Sequence, residues 1–204
     1  MPALVGILIS YLAGSIPTAY LAGKARGVDL RAHGSGNLGA TNVARVLGTP
    51  TGVAVFALDL LKGFLPVWIL PRYLESIDPE FWAVMFGAAA IIGHVKPIFL
   101  GGKGGGKGVA TASGVFLALA FVPLLVAQAA WAAVFYFTRY VSLASLVGAA
   151  VLPIAILTWW REPASPIFLA SLLVMAFVFW THRANIGRLR RGEEHRFVKK
   201  AADR

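Results

Sequence analysis

Long apolar runs without a single charge dominate the chain, and short polar segments rich in glycine separate them. Residues 1–23, 109–138, 140–160 and 163–181 contain no Asp, Glu, Lys or Arg. An uncharged apolar run of about 18 or more residues is long enough to cross a bilayer as a helix. The pattern predicts spans at 4–22, 47–70, 81–95, 140–160 and 167–181. The 30 residues of 109–138 are too many for one span, and Pro123 near their middle predicts a turn between two short helices. The reading is an all-α integral membrane protein of seven transmembrane helices, with 1–204 forming one polytopic domain. No matched pair of broken helices marks the two halves, which argues against an inverted-repeat transporter.

Charge then orients the bundle. With two helices in 109–138, one side collects Lys24, Arg26, Arg31, Arg45, Lys96, Lys103, Lys107, Arg139 and the tail residues Arg183, Arg188, Arg190, Arg191, Arg196, Lys199, Lys200 and Arg204. These are 16 of the 19 basic residues, so this side is the cytoplasmic one. The other side has Arg72 and Arg161 among Glu75, Asp78, Glu80 and Glu162. A single span in 109–138 would leave the basic tail outside, against the positive-inside bias. The N-terminus is therefore expected outside and the C-terminus in the cytoplasm. The first apolar run lacks a basic region before it and reads as a span, not a cleaved signal. Trp68, Trp82, Trp159 and Trp160 fall where interface belts are expected.

Composition agrees with a membrane class: 58% of residues are hydrophobic and 14% charged, against about 25% charged in soluble domains. The net charge of +10 follows from basic residues flanking spans, and no nucleic-acid-reading module accompanies it, so nucleic acid is not an expected partner. Cysteine is absent, which excludes disulfides and thiol chemistry. His33, His94, His182 and His195 are scattered without carboxylates at ligand spacing, so neither a metal nor another cofactor is expected.

The polar loops carry the candidate chemistry. The first runs Gly34-Ser35-Gly36-Asn37-Leu38-Gly39-Ala40-Thr41-Asn42, with Arg45 beyond it. Glycines allow successive backbone N–H groups to face one point, and Ser, Thr and Asn add donors, as an anion nest requires. The second places Gly93, His94, Lys96 and Pro97 before Gly101-Gly102-Lys103-Gly104-Gly105-Gly106-Lys107-Gly108. It fits a P-loop except where Ser or Thr would meet Mg²⁺; Gly108 stands there, and an apolar helix precedes the loop instead of a strand. It therefore reads as a phosphate clamp with two lysines, not an NTPase. In the third, His182 and Asn185, with Arg188 or Leu189, recur on one helix face, and Gly192 and Glu194 follow. Inside the second span Asp59 and Lys62 are i, i+3 partners, either an internal ion pair or a part of the site. A transporter of a phosphorylated or other anionic solute is the rival reading, but the outer loops are short and bland.

Taken together these motifs resemble the bacterial acyl-phosphate:glycerol-3-phosphate acyltransferase family, PlsY. The family's first motif resembles residues 34–42 here, its second Gly93-His94 with Pro97, Phe99 and 103–111, and its third 182–194. A Lys-Gly-x-x-Pro element resembles Lys62-Gly63-Phe64-Leu65-Pro66. The chain departs from the family's Phe-Lys-Gly-Gly-Lys-Gly: Gly102 replaces the Phe, and Gly104, Gly105 and Gly106 hold one extra glycine. Either Lys103 or Lys107 therefore answers to the second lysine.

The resemblance implies a seven-helix enzyme of the inner membrane with its active site facing the cytoplasm. Such an enzyme moves an acyl group from acyl phosphate to the sn-1 hydroxyl of glycerol 3-phosphate, the first step of phospholipid synthesis. The products are lysophosphatidic acid and inorganic phosphate. Ser35, Asn37, Thr41, Asn42 and Arg45, on the loop shaped by Gly34 and Gly36, would then hold one phosphate. Lys103 or Lys107, with Gly104–Gly106, would stabilise the leaving phosphate and the carbonyl oxyanion. His182 and Asn185 would position glycerol 3-phosphate, with His182 or a substrate phosphate oxygen as base. Ser35 as a covalent nucleophile is the rival mechanism, and no neighbouring base in the sequence supports it. The four histidines lack the His-x-x-x-x-Asp pair used by other acyltransferases.

Overall fold

A computed structural model describes residues 1–74, 78–160 and 162–197. Glu75, Arg161, Lys199, Lys200 and Arg204, counted in the charge argument, lie outside the described residues. The described chain is helical, without strands: α1 Ala3–Ser15, α2 Thr18–Ala25, α3 Ala40–Leu47, α4 Thr49–Ile69, α5 Pro79–Val95, α6 Val109–Leu119, α7 Phe121–Thr138, α8 Val141–Trp160, α9 Pro166–Thr181 and α10 Arg183–Arg190. Among the described residues five helical stretches are long and apolar enough to cross a membrane, and six if the bent pair α9–α10 counts as one span.

Two local breaks differ from the expected spans. The first predicted span is interrupted at Ile16–Pro17, between α1 and α2. Pro17 has no N–H to give the Ala13 carbonyl, which accepts from the Ile16 N–H at 3.3 Å; the Ile16 carbonyl accepts from the Thr18 N–H and from Lys62 Nζ, both at 3.0 Å. The turn expected near Pro123 falls at Ala120, whose backbone (φ −148°, ψ 63°) leaves the helical region. Pro123 lies in the first turn of α7, where its missing N–H has no intrahelical partner to lose. The chain doubles back there: Lys107 before α6 and Arg139 after α7 both contact residues 185–197.

Packing between the helices relies on small residues, as expected where lipid supplies no hydrophobic drive. The α4–α6 contact is so close that a Cβ on Gly114 would come 1.9 Å from the Leu60 carbonyl oxygen. Around it Val67, Val115, Phe116, Leu124, Leu152 and Ile156 form the main core. Large apolar side chains such as Leu4, Leu8, Phe137 and Leu173 are exposed, as on a lipid-facing surface. The α2–α3 loop, the α5–α6 loop and the segment after α9 gather at one end of the bundle, and these carry the three polar motifs.

Candidate active site

Asn42 organises the first loop. It is 1% exposed; its Oδ1 accepts from the Ser35 backbone N–H at 2.8 Å, and its Nδ2 donates to the carbonyls of Leu30 and His33 at 3.1 and 3.0 Å. Gly34 turns the chain at φ +62°, and a Cβ there would come 2.2 Å from Asn42 Oδ1, so the turn and the clamp both need glycine. The amide of Asn42 is thus occupied with the loop itself. Asn37 and Thr41 line the cavity beside Ser35, and the first turn of α3 faces it.

The three loops enclose a cavity of about 550 Å³. Of the residues singled out in the sequence, Ser35, Asn37, Thr41, Asn42, Arg45, Lys107, His182 and Asn185 all line it. Lys103 is exposed and lies away from it. Gly104, Gly105 and Gly106 border a separate small recess with Thr18, Lys62 and His94, while Gly34 and Gly36 shape the loop without lining the cavity. The lysine that reaches the site is Lys107.

Helix N-termini add to the side chains. Gly39–Ala40 at the start of α3, Gly108–Val109 at the start of α6 and His182 at the start of α10 all line the cavity. Each start leaves unpaired amides and a positive dipole end, which favour an anion.

Behind the cations stands one carboxylate. Lys107 Nζ donates to Asn185 Oδ1, and Asn185 Nδ2 donates to Glu194 Oε1 at 2.7 Å. Ser142 Oγ donates to the same oxygen at 2.8 Å, and Arg188 Nε to Glu194 Oε2 at 2.7 Å. Burial opposes ionisation of Glu194, but the bonds from Asn185, Ser142 and Arg188 outweigh it and hold its pKa below the usual value. Arg45, Lys107 and Arg188 against Glu194 and Asp59, the latter itself paired with Lys62, leave the cavity with surplus positive charge, suited to a phosphate.

Burial pushes the Lys107 ammonium down to about 8; Glu194 resists this, while Arg188 and Arg45 reinforce it. Arg45 is likewise lowered by burial, and its Nη2 donates to the His195 carbonyl at 3.2 Å. His182 is 4% exposed. Burial first, and then Lys107, push it down to about 4, so its imidazole is neutral near pH 7. Its Nδ1 lies 2.8 Å from the Val178 carbonyl, which only accepts. Nδ1 therefore carries the proton and Nε2 is left as an acceptor.

Some lining residues escaped the sequence reading. Ser142 on α8, and Gln128 and Trp131 on α7, sit inside apolar runs with nothing local to mark them. Gln128 and Trp131, like Ser142 and Ser145, are i, i+3 pairs within one helix, and that spacing does not distinguish a cavity wall from a helix contact. Gln128 Nε2 donates to Ser113 Oγ at 3.0 Å and Trp131 Nε1 to Ser145 Oγ at 3.3 Å. Val53 and Phe56 of α4 and Trp131 and Phe135 of α7 also line the cavity, giving it apolar lining.

Fold and site together define a multi-pass membrane protein with a cationic, phosphate-suited cavity against an apolar wall. Comparison with known proteins makes this specific. The family described as glycerol-3-phosphate acyltransferase matches residues 4–192. Proteins of that name from Geobacter sulfurreducens and Aquifex aeolicus are 47% identical over 189 residues and 44% identical over 198 residues. The first match covers 93% of this chain and 94% of the relative, the second 97% and 100%. The crystal structure of PlsY (YgiH), an integral membrane glycerol 3-phosphate acyltransferase, in its glycerol 3-phosphate form superposes with a TM-score of 0.87 at 41% identity, covering 96% of each chain. Its lysophosphatidic acid form gives 0.85 at 39% identity, covering 97% of this chain and 96% of that one. The chain belongs to the glycerol-3-phosphate acyltransferase family and is an acyltransferase.

Proposed function

We propose that the enzyme transfers a fatty acyl group from acyl phosphate to the sn-1 hydroxyl of glycerol 3-phosphate, releasing lysophosphatidic acid and inorganic phosphate. The carrying observation is the cavity itself: Arg45, Lys107, Arg188 and three helix starts converge beside an apolar flank of Val53, Phe56, Trp131 and Phe135. A phosphate-bearing donor with a lipid tail needs both halves of that arrangement. Ser35, Asn37, Thr41 and Arg45 hold one phosphate. Lys107 stabilises the leaving phosphate and the carbonyl oxyanion, a role favoured over Lys103 by its position in the cavity. His182 and Asn185 orient the glycerol.

Transfer is direct. The hydroxyl oxygen bonds to the carbonyl carbon, the carbon–oxygen bond to phosphate breaks, and the hydroxyl proton passes to an oxygen of the departing phosphate. A histidine lowered to about 4 is a weak base near neutrality, which supports the phosphate oxygen as acceptor and His182 Nε2 as an orienting group. Among the described residues no imidazole or carboxylate is hydrogen-bonded to Ser35 Oγ, which disfavours an acyl-enzyme; full activity in Ser35→Ala would eliminate that route.

The chain is further proposed to be one domain crossing a bacterial inner membrane seven times, N-terminus outside and cavity toward the cytoplasm. α6 would serve as the short member: its 11 residues reach about 16 Å at 1.5 Å per residue. The function is tested with protein purified in detergent, palmitoyl phosphate and glycerol 3-phosphate. Phosphate release that depends on both substrates is expected; release indifferent to glycerol 3-phosphate overturns the reading.

A further inference from the structure

In the wall of the cavity, Asp59 and His94 belong to a buried polar group to which the acyl transfer assigns no role. Asp59 on α4 is 1% exposed. Its Oδ1 accepts from Thr18 Oγ1 at 2.6 Å and pairs with Lys62 Nζ at 2.7 Å. His94 Nδ1, on the last turn of α5, lies 3.6 Å from the same oxygen. A buried ion pair is weak evidence of stability, because desolvation offsets its attraction. Its place in the molecule is what gives it a task.

The glycine loop rests directly on His94. A Cβ at Gly105 would come 2.3 Å from the Val95 carbonyl oxygen and 2.4 Å from that of His94. A Cβ at Gly106 would come 2.3 Å from His94 Nε2. The next residue is Lys107. The imidazole therefore fills the space between the Asp59 carboxylate and Gly106, from which Lys107 departs, while Gly105 packs on the backbone carbonyls of His94 and Val95. The ring has a fixed thickness and the glycines add none, so the contact sets where the lysine begins.

We propose that Asp59 and His94 are positioning residues for Lys107: the carboxylate, held by Thr18 and Lys62, backs the ring, and the ring sets the height of Gly106 and hence the reach of the lysine. The inference rests on Lys107 as the group that meets the substrate phosphate. A misplacement of about 1 Å at a reacting group costs on the order of 100-fold in rate, so small loop movements register in turnover.

The test uses full-length protein in detergent with palmitoyl phosphate and glycerol 3-phosphate. Asp59→Asn, His94→Ala and Gly106→Ala are each made alone and combined with Lys107→Ala, and kcat, KM and thermal unfolding are read. Single-turnover measurements with excess enzyme extend the range to slow variants. Each single change is expected to lower kcat about tenfold or more, with KM for palmitoyl phosphate changing much less. In the Lys107→Ala background the same changes are expected to lose most of their effect, because the group they position is gone. A merely structural role predicts the same fractional loss in both backgrounds.

Wild-type kcat in folded Asp59→Asn and Gly106→Ala overturns the proposal, and so does undiminished multiplication of the losses with Lys107→Ala. If Asp59→Asn and His94→Ala fail to fold while Gly106→Ala keeps wild-type kcat, it is likewise overturned. The unmodified enzyme is the separate control: phosphate release without glycerol 3-phosphate there defeats the acyltransferase reading itself.

Discussion

Lys107 is the residue on which the pH behaviour turns. With a pKa of about 8 it is charged below that pH and loses its proton as pH rises through it. If the charged form meets the phosphate, kcat/KM is expected to fall above about pH 8, since this ratio reports the free enzyme. A bound phosphate dianion favours the ammonium, so the alkaline limb of kcat is expected at higher pH than that of kcat/KM. Glu194 raises the lysine's pKa, so Glu194→Gln is expected to move the limb downward, whereas Lys107→Arg removes it from the accessible range. A limb unmoved by both changes assigns the titration to another group. Asn185 stands between the two charges, accepting from Lys107 and donating to Glu194. Hydrogen bonds to charged groups contribute about 1.5–3 kcal/mol. Asn185→Ala is therefore expected to lower kcat/KM by about 10- to 100-fold, measured as initial rates of phosphate release. A loss below about threefold would make Asn185 a bystander.

At the scale of elements, the segment after α10 is a strap across the cavity mouth. His195 and Phe197 line the cavity. The Phe197 N–H donates to the Arg139 carbonyl at 2.8 Å, its ring meets Phe135 at 5.9 Å, and Arg196 Nε donates to Tyr140 Oη at 3.2 Å. Arg139 is the non-glycine residue held at positive φ (+61°), closing α7 so that its carbonyl meets the strap. The His195 carbonyl holds Arg45, so loosening the strap frees the residue proposed to bind phosphate. Phe197→Ala is expected to raise KM for glycerol 3-phosphate about 3- to 10-fold, with unfolding temperature little changed. An unchanged KM would leave the strap without a part in binding.

The elements differ in how far the sequence announces them. Charge-free runs disclose spans because the bilayer demands them. The glycine-rich loops are legible because a packed helix has no use for so many glycines together. The break at Ile16–Pro17 was not legible in full: besides the local Thr18 N–H, the Ile16 carbonyl accepts from Lys62, 46 residues away. Ser142 escaped for a related reason, since only Glu194, 52 residues on, gives its hydroxyl a partner. Lys107 could not be separated from Lys103 from the sequence, because both flank one run of glycines, and only the folded loop shows which lysine lines the cavity.

For the whole molecule the outstanding feature is polarity across the membrane. Lys24, Arg26, Lys96, Lys103, Arg139, Arg183 and Arg190 lie at the cavity end of the bundle, while Arg72, Asp78 and Glu80 lie at the end where the Met1 amine donates to the Tyr73 carbonyl at 2.8 Å. Basic residues near span ends are retained in the cytoplasm, which supports the proposal that the cavity end faces inward. The absence of native cysteine makes the arrangement directly measurable. Glu80→Cys and Lys103→Cys each place one thiol on an exposed position at opposite ends, away from the cavity lining. In intact cells a membrane-impermeant maleimide is expected to label Glu80→Cys, once the outer membrane is made permeable, and to leave Lys103→Cys unlabelled until the inner membrane is broken. The reverse pattern inverts the molecule and sets the active site outside. Labelling of both thiols in intact cells would mean that the Gly101–Gly108 loop is open to the far side, which an odd number of crossings between residues 80 and 103 does not allow.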